Sequence, residues 1–170
     1  FTTSETLCKY AKMYKEEDIG IDILWVDAGW FGTPDLSDMG SWIGHPGNWE
    51  EDKRTHPDRF ATVAKAAKEN GMGFLLWYEI ERACSIHKVP QEHPDWFLKL
   101  KNDENEPLRT YLLNLGTEGG YNFMLNILRK DIKDLDMAWY RQDFNIHPLP
   151  YWRESDEPNR AGITEIKYIN

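Results

Sequence analysis

Residues 137–145 read MAWYRQDFN, and side chains alternate along a strand, so a strand here places Trp139, Arg141, Asp143 and Asn145 on one face. A guanidinium two residues from a carboxylate on that face favours the ionised acid, the state that a nucleophile or an electrostatic stabiliser requires. Without further context a buried structural ion pair is the commoner use of such residues, and residue types alone leave both readings open. A second cluster, WYEIE at 77–81, sets Trp77, Glu79 and Glu81 on one face of an extended segment. An aromatic plate beside carboxylates suits a sugar, whose C–H faces stack while its hydroxyls need hydrogen-bond partners; a core Trp with solvated acids gives the same letters. Trp30, Trp42 and Trp49 lie in or beside the long segment 31–57, where a structural role is hard to supply for all three.

Other chemistries find little support. The five histidines show neither HxH nor HExxH spacing, so no metal site is expected. Cys8 and Cys84 form no CxxC pair and no disulfide framework. Lys and Arg total 20 against 29 Asp and Glu, a formal charge of -9, the wrong sign for gripping phosphates or anionic lipid. The longest apolar run, 74–78, is far below the roughly 20 residues of a membrane helix. Nucleic acid and membrane are therefore excluded as partners, and a neutral or polar ligand fits better.

The elements that must carry these residues follow from periodicity. Leu7, Tyr10, Ala11 and Tyr14 repeat at helical spacing, with Ser4 as N-cap and Gly20 past the end. Residues 21–26 form a buried strand running into Asp27. Phe60, Val63, Ala64 and Ala67 make a second helix, with Asp58 near its N-cap and Gly71 at its stop. Strands follow at 74–79, 111–115 and 137–145, a helix through Tyr121, Met124, Leu125 and Leu128, and a strand-like stretch at 163–169. Residues 89–107 read as loop, with one helical turn at 93–98.

Strands alternating with helices imply βα units and a parallel sheet. No GxGxxG or P-loop follows a strand, which disfavours a nucleotide-binding sheet. Each strand does end on a polar group, Asp27, Glu79, Asn114 or Asp143, and a (β/α) barrel builds its active site at that rim. The expected fold is thus an α/β, parallel (β/α) TIM-type barrel, about half of it present. Residues 1–170 form one partial catalytic domain, and the chain reads as a piece of a longer protein.

In order along the chain, DAGWFG (27–32), LWYEIE (76–81), HPDW (93–96), LRTYLLNLG (108–116) and YRQDFN (140–145) resemble the motifs of the catalytic barrel of glycoside hydrolase family 36, the bacterial melibiase-like α-galactosidases. The family counterparts are DDGWFG, LWFEPE, HPDW, an arginine-containing stretch ending in VLDL, and YIKWDMN. The resemblance implies a retaining hydrolase that releases terminal α-linked galactose from oligosaccharides, with no cofactor; a homo-oligomer of the full-length protein is compatible with it. By the same resemblance Asp143 is the nucleophile, and Asp27, Trp77, Arg109, Arg141 and Asn145 hold the sugar.

Among the departures from the family pattern, Ala28 stands for the second Asp, Arg141 for Lys, Gln142 for Trp and Ile80 for Pro. Losing a charge-assisted contact to a sugar hydroxyl is worth roughly 1.5–3 kcal/mol, enough to shift preference towards another α-glycoside such as an α-N-acetylgalactosaminide. Retaining hydrolysis also needs a second carboxyl group. In the family this lies well after the nucleophile, and Glu154, Asp156, Glu157 and Glu165 lack its context, so the acid/base is expected beyond this chain. A carbohydrate-binding or degenerate barrel without turnover is the rival reading.

Overall fold

The computed structural model describes residues 2–32, 46–47, 49–101 and 109–170. In chain order its elements are α1 (Ser4–Glu16), β1 (Ile23–Val26), α2 (Ala61–Glu69), β2 (Gly73–Tyr78), β3 (Arg82–Cys84), α3 (Lys88–Glu92), a 3-10 turn (Pro94–Trp96), β4 (Phe97–Leu98), β5 (Thr110–Leu113), α4 (Glu118–Asp134), β6 (Trp139–Gln142), α5 (Pro148–Glu154) and α6 (Ile163–Ile169). No helix among the described residues is long and apolar enough to cross a membrane. The chain divides into two compact units, Phe1–Thr33 with Trp49–Tyr78 and Ile127–Asp143, and the remainder.

The first unit carries a parallel sheet of order β1-β2-β6. Its register pairs Val26 with Leu76 and Leu76 with Tyr140, then Trp77 with Arg141. Paired residues in a parallel ladder share a face, so Leu24, Val26, Phe74, Leu76 and Tyr78 form one side, all of them buried. The start of α2 packs on that side, where Phe60 meets Phe74 with ring centroids 6.1 Å apart. The N-cap of α1 is Thr3, which accepts from the Thr6 N–H, and not the expected Ser4. The Ser4 hydroxyl instead turns inward to His56 Nδ1 at 3.0 Å. Asp58 does accept the Thr62 N–H at the start of α2, although the cap residue itself is Phe60, in the left-handed region.

The opposite side of the sheet presents Trp25, Leu75 and Trp139, of which Trp25 and Trp139 are exposed. The expected strand 137–145 is shorter than its apolar pattern suggested. β6 stops at Gln142, and the ladder gains one further rung where the Asp143 N–H donates to the Tyr78 carbonyl at 2.7 Å. Face-sharing therefore holds for Trp139, Arg141 and Asp143 and ends before Asn145.

The second unit holds an antiparallel sheet of order β3-β5-β4. This corrects the reading of 111–115 as a fourth parallel strand, and Asn114 is not at a parallel rim. Leu112 and Leu113 are both fully buried, and a short run buried on both faces carries no information about strand direction. The stretch 163–169 is a helix and not a strand. Its first turn is capped by Asp156, which accepts from the Gly162 and Thr164 N–H groups, while Ile163, Ile166 and Ile169 keep helical spacing. HPDW has a packing role: a Cβ on Gly119 would lie 2.0 Å from the Trp96 indole nitrogen, so only glycine fits there.

His56 is buried on Phe60, ring centroids 4.2 Å apart. Burial pushes its pKa from 6.5 down to about 4, against the opposing pull of Asp52, Asp58 and Glu51. Between those values the unfolded chain binds a proton that the folded chain refuses, so this contribution is intact above pH 6.5 and is lost as pH falls towards 4. Urea midpoints measured from pH 7 to 4 should fall more steeply for the native chain than for His56→Gln. Parallel curves would refute the assignment.

Candidate active site

Three parallel strands deliver their next residues to the same end of the first unit's sheet. Asp27 follows Val26 in the row occupied by Trp77 and Arg141, and Asp143 lies two residues beyond Arg141. The alternation that points Trp25 and Trp139 to the open side points Asp27, Arg141 and Asp143 there as well.

Asp27 is exposed, and its Oδ1 accepts the Ala28 N–H at 2.7 Å. Gly29, at φ 95, takes a left-handed turn that suits residues without a Cβ. The chain thereby re-enters the core at Trp30, whose ring N–H donates to the Trp77 carbonyl at 2.8 Å. Trp30 and Trp49 are almost wholly buried and sit in one aromatic cluster with Phe31, Trp77 and Tyr78. Both are core residues, so a structural role is found for two of the three tryptophans for which it was hard to supply one. Trp42 lies outside the described residues.

Asp143 sits between two donors. Its Oδ2 accepts from the Trp77 indole N–H at 3.2 Å, and its Oδ1 is 3.5 Å from Arg141 Nη2. The guanidinium carbon of Arg141 lies 5.6 Å from the centre of the Trp25 ring, a cation–π distance. The Asp143 side chain is 32% exposed, so the carboxylate is held yet reachable. An acid placed this way can attack or stabilise a developing positive charge. Trp77 is not the open plate that 77–81 suggested, since only 2% of its surface is exposed.

Beneath the sheet lies a network absent from the sequence reading. Arg59 donates from Nε to Asp131 Oδ1 at 3.1 Å and from Nη1 to Glu51 at 3.0 Å and the Trp49 carbonyl at 2.7 Å; Tyr78 donates its hydroxyl to Asp131 at 2.7 Å. Burial, then the Asp131 carboxylate, push the Tyr78 phenol far up, so it stays a donor.

In the second unit Glu79 is fully buried. One oxygen takes Arg82 Nη2 at 2.6 Å and the other accepts the Asn145 backbone N–H. Glu79 is therefore a clamp on the segment after Asp143 and not a solvated rim acid. The Glu81 carboxylate accepts from the Tyr168 hydroxyl. Arg109 directly precedes β5, and its carbonyl accepts the Ser85 N–H at 2.7 Å. The acids after Asp143 are engaged locally: Glu154 with the Lys101 N–H, Asp156 at the α6 cap, Glu157 with Lys167, and Glu165 with Arg153. Among the described residues no group of three or more His, Cys, Asp or Glu could hold a metal ion.

A family model described as Melibiase matches residues 2–165. α-Galactosidase 1 of Pediococcus pentosaceus is 28% identical over 154 residues, 90% of this chain and 20% of that protein. α-Galactosidase Mel36A of Lactobacillus acidophilus is 30% identical over 160 residues, 91% of this chain and 21% of that protein. The chain thus spans about a fifth of the length of these relatives. In fold it superposes, at a TM-score of 0.79 and 22% identity, on a variant of the GH36 α-galactosidase AgaA of Geobacillus stearothermophilus crystallised with raffinose, covering 98% of this chain and 22% of that one.

Proposed function

Since the chain belongs to the melibiase family, glycoside hydrolase family 36, we propose that it is part of a retaining α-galactosidase whose nucleophile is Asp143. Residues 1–170 then form part of a single (β/α) barrel catalytic domain, contributing three of its parallel strands and not the four that the sequence suggested, with the acid/base carboxylate outside them. An Asp143 oxygen bonds to the anomeric carbon as the glycosidic C–O bond breaks, and the leaving oxygen takes its proton from the acid/base. Water, deprotonated by that same group, then displaces Asp143 and restores the original configuration. Asp27, Arg109, Arg141 and Asn145 hold the terminal galactose, and Trp77 closes the pocket beside Asp143. Oligosaccharides of the raffinose type are the substrate class, by analogy with the AgaA complex. No cofactor takes part.

The observation that carries this reading is the convergence of Asp27, Trp77, Arg141 and Asp143 at one end of three neighbouring parallel strands, the rim where such barrels place their chemistry. The local engagement of Glu154, Asp156, Glu157 and Glu165 supports an acid/base from elsewhere in the protein. Ala28, where the family has a second Asp, favours one alternative within the same mechanism, an α-N-acetylgalactosaminide. Rates of the whole protein on the p-nitrophenyl α-galactoside, α-N-acetylgalactosaminide and α-glucoside separate these readings. The galactoside is expected to be fastest, with α-galactose the first product seen by NMR. A faster N-acetylgalactosaminide moves the specificity, β-galactose as first product overturns retention, and binding without turnover leaves a carbohydrate-binding barrel.

A further inference from the structure

We propose that Trp77 is a positioning residue for the nucleophile and not a surface on which the sugar stacks, an inference that rests on reading Asp143 as the nucleophile. Stacking needs an open ring face, and only 2% of Trp77 is exposed. Phe31 packs on it at a centroid distance of 6.3 Å and Trp49 at 6.1 Å. An indole has one donor, and here it points at Asp143 Oδ2, 3.2 Å away.

The donor is held from behind. Trp30, also 2% exposed, donates its own indole N–H to the Trp77 carbonyl at 2.8 Å and is wedged edge-on between Phe60 at 5.7 Å and Tyr78 at 5.5 Å. The Tyr78 carbonyl in turn accepts the Asp143 N–H at 2.7 Å. Both the backbone and the carboxylate of Asp143 are thus tied to consecutive residues of β2. Trp30 stabilises that strand end, and the Trp77 N–H fixes the rotation of the carboxylate about its last torsion. A nucleophile locked in the attacking geometry spares the transition state an ordering cost that ground-state binding never meets. The consequence is an effect on kcat and not on sugar affinity.

The test is Trp77→Phe in the whole protein, which keeps an aromatic ring and removes the N–H. With p-nitrophenyl α-galactoside, kcat should fall by about tenfold or more, with KM and the inhibition constant of galactose within about twofold of native. Trp77→His, which keeps a ring N–H, should recover part of that loss. A tenfold rise in KM and in the galactose constant at unchanged kcat would make Trp77 a sugar contact, and no change in either would remove its role; both overturn the proposal. If Trp77→Phe does not fold, Trp30→Phe carries the test, with the same split expected at smaller size and an unchanged kcat overturning it. Asp143→Ala tests the premise separately. It should be inactive and regain turnover with sodium azide, whose nitrogen bonds to the anomeric carbon as the glycosidic C–O breaks, giving β-galactosyl azide. Activity without azide sinks the nucleophile assignment, whereas azide rescue beside a native-like Trp77→Phe sinks only the positioning role.

Discussion

Asp143→Asn is expected to lower kcat on p-nitrophenyl α-galactoside by at least about 10⁴-fold, as removal of a covalent nucleophile does elsewhere, while galactose still binds. The amide matches the carboxylate in shape and can still accept from the Trp77 N–H that reaches Oδ2 at 3.2 Å. It gives up the negative charge opposite Arg141, a contact of 3.5 Å on a half-exposed guanidinium. An ion pair at that separation and exposure contributes little to folding, so the loss falls on the chemistry. Turnover and calorimetric galactose binding, measured on one preparation, decide the matter. An Asn variant with a tenth of native activity would exclude Asp143 as nucleophile, and loss of galactose binding would indicate a disrupted site.

The largest expected effect on stability lies on the other side of the same strand. Asp131 is 1% exposed and receives Arg59 and the Tyr78 hydroxyl. Asp131→Ala leaves a guanidinium without its main counter-ion and a phenol without its acceptor, a class of change that costs about 3–5 kcal/mol. Glu51 and the Trp49 carbonyl keep part of Arg59 compensated, at 3.0 and 2.7 Å, which places the expectation near the lower end, at about 3 kcal/mol. Replacing Arg59 as well would strip Glu51 and the Trp49 carbonyl of the donor they share, so the single variant is the cleaner measure. Chemical denaturation of Asp131→Ala beside the native protein gives the loss, and an unchanged midpoint would show that the network contributes nothing to stability.

Hydrophobic period carried far in this chain wherever one face of an element meets the core and the other meets water. The stripe through Leu7 and Ala11, the stripe through Val63, Ala64 and Ala67, and the runs ending at Val26 and Tyr78 became α1, α2, β1 and β2. Period failed where both faces are covered or where capping decides the element. Leu112 and Leu113 read alike in a parallel or an antiparallel ladder, and the three isoleucines of 163–169 fit strand propensity until Asp156 caps them as a helix. Residue type likewise left the tryptophans ambiguous, since a ring beside an acid serves equally as core or as platform. Trp30 and Trp49 proved to be core.

What the amino-acid sequence determined by itself is that Asp27 and Asp143 stand at strand ends and that Arg141 shares a face with Asp143, because strand alternation is a local property; Glu79 and Asn114, read by the same rule, proved to be a buried clamp and a residue after an antiparallel strand. What only the tertiary structure decided is how those groups are held. Asp143 meets the indole of a residue 66 positions earlier, Arg59 meets Asp131 at 72 positions, and Glu79 closes on the Asn145 backbone at 66. A contact across that much chain is set by register and by how neighbouring strands stack, which no local pattern encodes. The direction of β5 and the burial of Glu79 were decided in the same way, by partners that come near only once the chain has folded.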